Sequence, residues 1–161
     1  MSADRTHSES AAALEAAIEG ARGSFTQLSE TSSQVPLRPG GWCARETIGH
    51  LIDSACNNHR RFVVGQSPDV TQFDGYAQDD WVERQHYRDE SWQKLVALWT
   101  AYNLHLAHVM RHTSDESAES AALAPDGSAR VTIRFLMEDY VTHLLHHVHQ
   151  ILAFAQHQPR S

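Results

Sequence analysis

The sequence predicts an all-α fold, an antiparallel four-helix bundle in a single domain spanning residues 1–161. Three observations support this prediction. A chain of 161 residues is long enough for one ordinary domain and too short for two. Four segments repeat apolar residues at steps of three and four, which is the period of an amphipathic helix. The segments between them contain the prolines and glycines that end helices.

The first two helices are predicted at residues 8–29 and 44–64. The first has an apolar stripe from Leu14 to Leu28, and the second has one from Ile48 to Val63. Between them, residues 32–41 contain two prolines and two glycines, which predicts a loop. Gly65 and Pro68 end the second helix.

The remaining helices are predicted at residues 91–112 and 132–156, again from their apolar repeats. A long connection between helices 2 and 3, residues 65–90, carries aromatic residues and a short helix near 78–85. Residues 113–129 read as a loop with an Asp126-Gly127 turn. Residues 130–133 are rich in β-branched side chains, but the helical repeat begins there, so we predict helix rather than strand. The two ends, residues 1–7 and 158–161, are expected to be loose.

Composition excludes several classes of protein. Hydrophobic residues make up 41% of the chain and charged residues 20%, which predicts a globule rather than a disordered segment. The net charge is -7 and Lys94 is the only lysine, which argues against nucleic acid as a partner. Neither a membrane-spanning run nor a secretory signal is present, so we expect a cytoplasmic protein. Cys43 and Cys56, placed on one helix, would be about 20 Å apart and therefore unpaired.

Histidine is unusually frequent, with 12 in the chain. His143 and His147 are four residues apart on the predicted fourth helix and could present two imidazoles to one metal ion. This spacing is a weak filter, because about one such pair is expected by chance in so histidine-rich a chain. From spacing alone, surface or hydrogen-bonded histidines are the more common explanation.

Five other histidines could also be either metal ligands or ordinary surface residues. His105, His108 and His112 lie near the C-terminus of helix 3, where positive charge is favoured by the helix dipole. His146 and His149 lie on other faces of helix 4 than the His143/His147 pair and are expected to be exposed. The roles of these five residues stay open.

His50 is the third candidate ligand. It lies among apolar neighbours on helix 2, where a polar imidazole needs a partner, and a metal shared with helix 4 would be one. The adjacent Gly49 costs about 1 kcal/mol in a helix relative to alanine. We therefore expect close packing or a ligand at that position.

The sequence from Trp42 to Ser54 reads WCARETIGHLIDS, and helix 4 carries H-x3-H-x2-Q-I from His143 to Ile151. With the acidic and aromatic connection around Pro68, Phe73-Asp74 and Asp80-Trp81, these motifs resemble the DinB-like superfamily, closest to its YfiT-like metal-dependent hydrolase branch. The resemblance covers residues 35–154. Two positions depart from the family pattern: Cys43 replaces a frequent serine cap, and His149 replaces a frequent glycine.

The resemblance implies a four-helix bundle that holds a divalent metal, zinc or nickel, on His50, His143 and His147. It implies a small-molecule substrate, a low-molecular-weight thiol in some relatives, and a homodimer. Three neutral imidazoles leave coordination positions free, which suits a hydrolase or a thiol S-transferase. The alternative is a non-catalytic helical binding or dimerisation module with a structural metal or none.

Three carboxylates lie close in sequence to these histidines. Asp53 and Asp139 are each one turn from a candidate ligand and could orient an imidazole or move a proton. Solvated helix carboxylates explain them equally well. Glu46 belongs to the family-like motif, but an acidic residue is favoured in the first turn of a helix in any case.

Overall fold

Four long helices dominate the computed structural model, which describes residues 5–158. They are α1 (His7–Gln27), α2 (Ala44–Val64), α4 (Trp92–His112) and α6 (Ile133–Ala155). The connections carry two short helices, α3 (Gln78–Arg84) and α5 (Asp115–Ala118), and two short strands, β1 (Ala121–Leu123) and β2 (Arg130–Thr132). Single 3-10 turns occur at Ser32–Gln34 and Tyr87–Asp89.

The long helices form a four-helix bundle in which α1 and α2 are diagonal to each other. Each of these two helices packs extensively against both α4 and α6. Going round the bundle, the order is therefore α1, α4, α2, α6. This arrangement makes α2 a direct neighbour of α6 on one side and of α4 on the other.

Large aromatic side chains fill the core where α1 meets α4. Phe25 packs on Trp92 and Trp99, with ring centroids 5.8 and 5.3 Å apart. The indole N–H of Trp92 donates to the carbonyl of Phe25 at 2.6 Å. Tyr140 of α6 donates to the side-chain oxygen of the fully buried Asn103 on α4. The apolar stripes that predicted the helices are thus the surfaces that pack together.

The ends of the long helices fall within two residues of the predicted bounds. Thr6 caps α1 through the backbone N–H of Glu9, so this helix starts at His7 rather than Ser8. Ser91 and Thr132 cap α4 and α6 in the same way. Residues 1–4 and 159–161, which we expected to be loose, lie outside the described residues.

The prediction that residues 130–133 form no strand is wrong. Arg130–Thr132 form strand β2, which pairs antiparallel with β1. Residues 113–129, predicted as a loop, also contain α5 and β1. The β-branched side chains favour the strand, and the partner that completes it comes from the preceding segment.

A buried arginine joins the two segments that lead into α2 and α4. Arg45 donates to Ser33 at 2.8 Å and to the carboxylate of Glu30 at 2.6 Å. It also donates to the carbonyl oxygens of Arg88 and Glu90 at 3.0 and 2.6 Å. Because its charge is paired and its donors are used, this residue can be buried at the end of the bundle.

None of the helices in the part of the chain that the structure describes combines the length and apolar character needed to cross a bilayer.

Candidate metal centre

Three histidines from α2 and α6 converge inside the bundle. The ring centroid of His50 lies 5.0 Å from those of His143 and His147, which are themselves 4.8 Å apart. One ligand atom from each residue lies within 4.8 Å of the other two. Among the described residues, this is the only group of three histidine, cysteine, aspartate or glutamate side chains that meets so closely.

The helices place these imidazoles by simple geometry. His143 and His147 are one turn apart on α6, and His50 reaches them from the neighbouring α2. His50 is only 1% exposed, whereas the two α6 histidines are half-buried. The ring of Trp42 packs on His50 with centroids 5.2 Å apart. One side of the group is thus closed by the bundle.

Two successive hydrogen bonds between side chains of α6 orient His147. Its Nδ1 lies 2.9 Å from the side-chain oxygen of Gln150, so this nitrogen donates and Nε2 keeps its lone pair. The amide of Gln150 donates in turn to Nε2 of His146 at 3.1 Å. Gln150 belongs to the H-x3-H-x2-Q-I motif, but the motif alone assigns it no role. The signal was its spacing, three residues after His147 and four after His146.

Burial keeps the three imidazoles neutral. Burial and, to a smaller extent, the charges of the neighbouring His143 and His147 lower the pKa of His50 to about 4. The pKa of His143 is also lowered to about 4, by burial and then by the charges of His147 and His146. Burial lowers the pKa of His147 as well, against the bond to Gln150, which raises it. Neutral imidazole is the form that binds metal.

This donor set fits a divalent metal ion. Nε2 of His50 and Nε2 of His143 are 3.1 Å apart. Two nitrogens that bind one zinc ion at about 2.0–2.1 Å in tetrahedral geometry are separated by about 3.3 Å. In the metal-free chain a proton on one of these two nitrogens makes the contact a hydrogen bond, and with a metal ion bound both nitrogens would present lone pairs to the ion.

A cavity of about 790 Å³ opens beside the cluster. His147 contributes to its wall, and other lining residues include Leu37, Arg38, Trp42, Thr47, Gln150 and Phe154. The loop before α2 and the last turns of α6 therefore enclose a space large enough for a small molecule. One side of the histidine cluster can be reached from this space.

The three candidate carboxylates have different surroundings. Asp53 is buried, and its Oδ1 accepts from Tyr87 at 2.6 Å and from Gln85 at 2.7 Å. Burial raises the pKa of this carboxyl group, and the two bonds oppose the rise. Glu46 accepts from the backbone N–H of Cys43 at 2.9 Å, which stabilises the start of α2 at the position where a serine cap is replaced.

Asp139 is exposed on α6, and its charge acts on Arg61. Of the three carboxylates, Asp53 and Glu46 thus make bonds that fix helix α2 and the connection, and none makes a hydrogen bond to a histidine of the cluster within the described residues. A role for any of them in catalysis stays a prediction. His146 and His149 are exposed, as expected from their position on the helix.

Comparison with known proteins agrees with the motifs. The sequence model of the DinB superfamily matches residues 13–151. The "Putative metal-dependent hydrolase YfiT" of Bacillus subtilis is 24% identical over 124 residues, which cover 77% of this chain and 70% of that protein. A Bacillus licheniformis protein, also named as a "putative metal-dependent hydrolase", is 24% identical over 82% of this chain and 75% of its own length.

Solved structures show the same fold. The structure of YfiT from Bacillus subtilis, described as an unusual four-helix bundle, superposes with a TM-score of 0.83 at 21% identity, covering 93% of this chain and 86% of that one. A mutant form of a mycothiol-dependent maleylpyruvate isomerase gives a TM-score of 0.75 at 13% identity, covering 91% of this chain and 61% of that one. The family match extends over most of the chain and includes both histidine motifs, so this protein belongs to the DinB superfamily.

Proposed function

We propose that this protein is a metal-dependent enzyme that holds a divalent ion, zinc or nickel, on His50, His143 and His147. The observation that carries the proposal is the convergence of three neutral imidazoles beside an open cavity. The metal-dependent names of its relatives support the same conclusion. A purely structural metal site would be closed by a fourth protein ligand, and only three such side chains converge among the described residues.

The reaction we propose is either hydrolysis or transfer of a low-molecular-weight thiol. When bound, the ion would supply a Lewis acid that lowers the pKa of a water or thiol. Gln150 holds the ring of His147 in place, and Trp42 covers His50. The cavity wall formed by Leu37, Trp42 and Phe154 offers an apolar surface to a small-molecule substrate. One solved structure with the same fold is a mycothiol-dependent isomerase, and this supports thiol transfer as the second candidate reaction.

Partners and location follow from the same reasoning. The net charge of -7 favours a small-molecule substrate over nucleic acid. Cys43 and Cys56 are both free thiols, which supports a reducing cytoplasmic location over a secreted one. We propose a homodimer in solution, without a membrane partner. Light scattering on the purified chain tests the dimer, and a monomeric mass at all concentrations would contradict it.

Elemental analysis tests the metal site. The purified chain should carry about one zinc or nickel ion per polypeptide, and the variant His143→Ala/His147→Ala should lose it. The matched control is His108→Ala/His112→Ala, which removes an exposed histidine pair of the same spacing on α4. Metal content that is unchanged by the α6 double substitution would refute the site.

Activity assays then separate the two reactions. The metal-loaded chain is incubated with model esters, and separately with a low-molecular-weight thiol and an electrophile. Ester cleavage without thiol identifies a hydrolase, whereas product that forms only with thiol identifies a transferase. In both cases the α6 double variant should be inactive. A metal-loaded chain that is inactive in both assays would favour the non-catalytic module.

A further inference from the structure

We propose that His59 of α2 and His105 of α4 form a second site for a divalent transition-metal ion, on the outside of the bundle and separate from the central cluster. The sequence alone assigns no role to His105, His108 or His112. The packing of α2 against α4 adds a fourth imidazole, His59, to that group. Nothing in the proposed enzyme function uses these residues.

The two rings have the spacing and angle of a ligand pair in the central cluster. The centroids of His59 and His105 are 5.1 Å apart and their planes meet at 83°. The corresponding values for His50 and His143 are 5.0 Å and 83°. Like that pair, His59 and His105 come from two different helices, so their separation is fixed by helix packing rather than by one flexible segment.

A hydrogen bond also orients His59. Its Nδ1 lies 3.2 Å from the hydroxyl of Tyr102. In the tautomer in which Nδ1 donates to this hydroxyl oxygen, Nε2 keeps its lone pair and can bind an ion. Burial raises the pKa of Tyr102 to about 12, so its hydroxyl stays protonated at neutral pH. Burial and the neighbouring His105 lower the pKa of His59, which favours the neutral form.

This site is distinct from the central cluster. His50 and His59 are nine residues apart on α2, which is about 14 Å along the helix and half a revolution around it. His50 therefore meets α6, whereas His59 meets α4. Loss of one site should leave the other intact.

Two further histidines, His108 and His112, follow His105 on α4. The ring centroid of His108 is 6.1 Å from that of His105 and 4.1 Å from that of His112. Nδ1 of His112 donates to the carbonyl of His108, so its Nε2 also keeps a lone pair. Among the described residues, three ligand atoms converge only in the central cluster, so water would complete the coordination of an ion on His59 and His105.

Imidazole nitrogen suits copper, nickel and zinc, and Cu²⁺ binds a given nitrogen site most tightly. We therefore choose Cu²⁺ as the probe. The full-length chain carries His143→Ala/His147→Ala, which removes two of the three central ligands, and its fold is checked by circular dichroism. Titration calorimetry should then show about one Cu²⁺ per chain. Electron paramagnetic resonance should show coupling to two imidazole nitrogens.

Adding His59→Asn/His105→Asn to this background should weaken Cu²⁺ binding at least tenfold, roughly 1.4 kcal/mol or more. The matched control adds His86→Asn/His149→Asn, which removes two exposed histidines without an imidazole neighbour among the described residues, and should leave binding unchanged. Asparagine suits position 86, where the backbone is left-handed with φ 51°.

Three results would overturn the proposal. The first is no Cu²⁺ binding in the background chain. The second is unchanged affinity after substitution of His59 and His105. The third is loss of binding on His108→Asn/His112→Asn alone, which would place the ion on a single-helix pair. None of these results bears on the central site, because two of its three ligands, His143 and His147, are absent from every chain in this experiment.

Discussion

The protonation state of each central histidine is set by its surroundings rather than by its residue type. His50 and the exposed His149 have the same side chain, but only the first is removed from water. Burial lowers the pKa of His50 and of His143 from 6.5 to about 4. Both rings are therefore neutral at physiological pH, which metal binding requires.

These lowered pKa values predict how stability changes with pH in the metal-free chain. Between 6.5 and about 4, the unfolded chain binds protons that the folded chain does not. The free energy of unfolding should therefore fall as the pH is lowered through this window. The contribution of these histidines to the free energy of unfolding is fully present above pH 6.5 and fully lost below about pH 4.

Urea unfolding at a series of pH values measures this effect. In the variant His50→Gln/His143→Gln, the fall in stability across the window should be clearly smaller than in the parent chain. The difference between the two chains isolates the histidines from other titrating groups. Identical pH profiles would show that these rings already bind protons in the folded state.

At the scale of secondary structure, the packing of Tyr87 against helix α2 depends on Gly49. A Cβ atom at Gly49 would lie 2.2 Å from the ring of Tyr87, so only glycine leaves room for this side chain. Tyr87 in turn donates to Asp53, one turn further along the helix. The close packing that the sequence predicts at Gly49 is thus its contact with Tyr87, which lies in the long connection between α2 and α4.

Gly49→Ala should destabilise the metal-free chain by about 1–3 kcal/mol, because the ring of Tyr87 must move. Gly20→Ala is the control on α1, where an added Cβ meets nothing within 4 Å. That change should stabilise the chain by about 0.5–1 kcal/mol, since alanine is the better helix former. Chemical denaturation measures both. Equal effects of the two substitutions would argue against the packing of Tyr87 on α2.

For the whole molecule, the central site would connect two parts of the fold that are distant in sequence. His50 and His143 are 93 residues apart along the chain. The unfolded chain rarely brings them together, so an ion that needs both residues binds the folded chain preferentially. Metal binding and folding are therefore coupled.

Addition of Zn²⁺ to the metal-free chain should raise its melting temperature. At about 100 times the dissociation constant, the gain is about 2.7 kcal/mol. For a chain of this size, this corresponds to a rise of roughly 5–10 °C. Thermal unfolding followed by circular dichroism measures it, and a chelator should reverse it. The variant His143→Ala/His147→Ala should respond much less, and an equal response would place the stabilising ion elsewhere.

The sequence by itself determined the four long helices, because apolar periodicity and capping residues are local properties of the chain. Their ends were predicted within two residues, and the helix-4 histidines share a face because they are four residues apart. The same local reasoning failed at Arg130–Thr132, where pairing with Ala121–Leu123 makes a strand.

Only the tertiary structure decided which helices are neighbours. Its order around the bundle places α2 between α4 and α6, and so brings His50 to His143 and His59 to His105. The tertiary structure also placed Asp53 against Tyr87 and opened the cavity beside His147. Such contacts depend on how whole helix faces pack, and helical periodicity determines which residues share a face but not which face of another helix they meet.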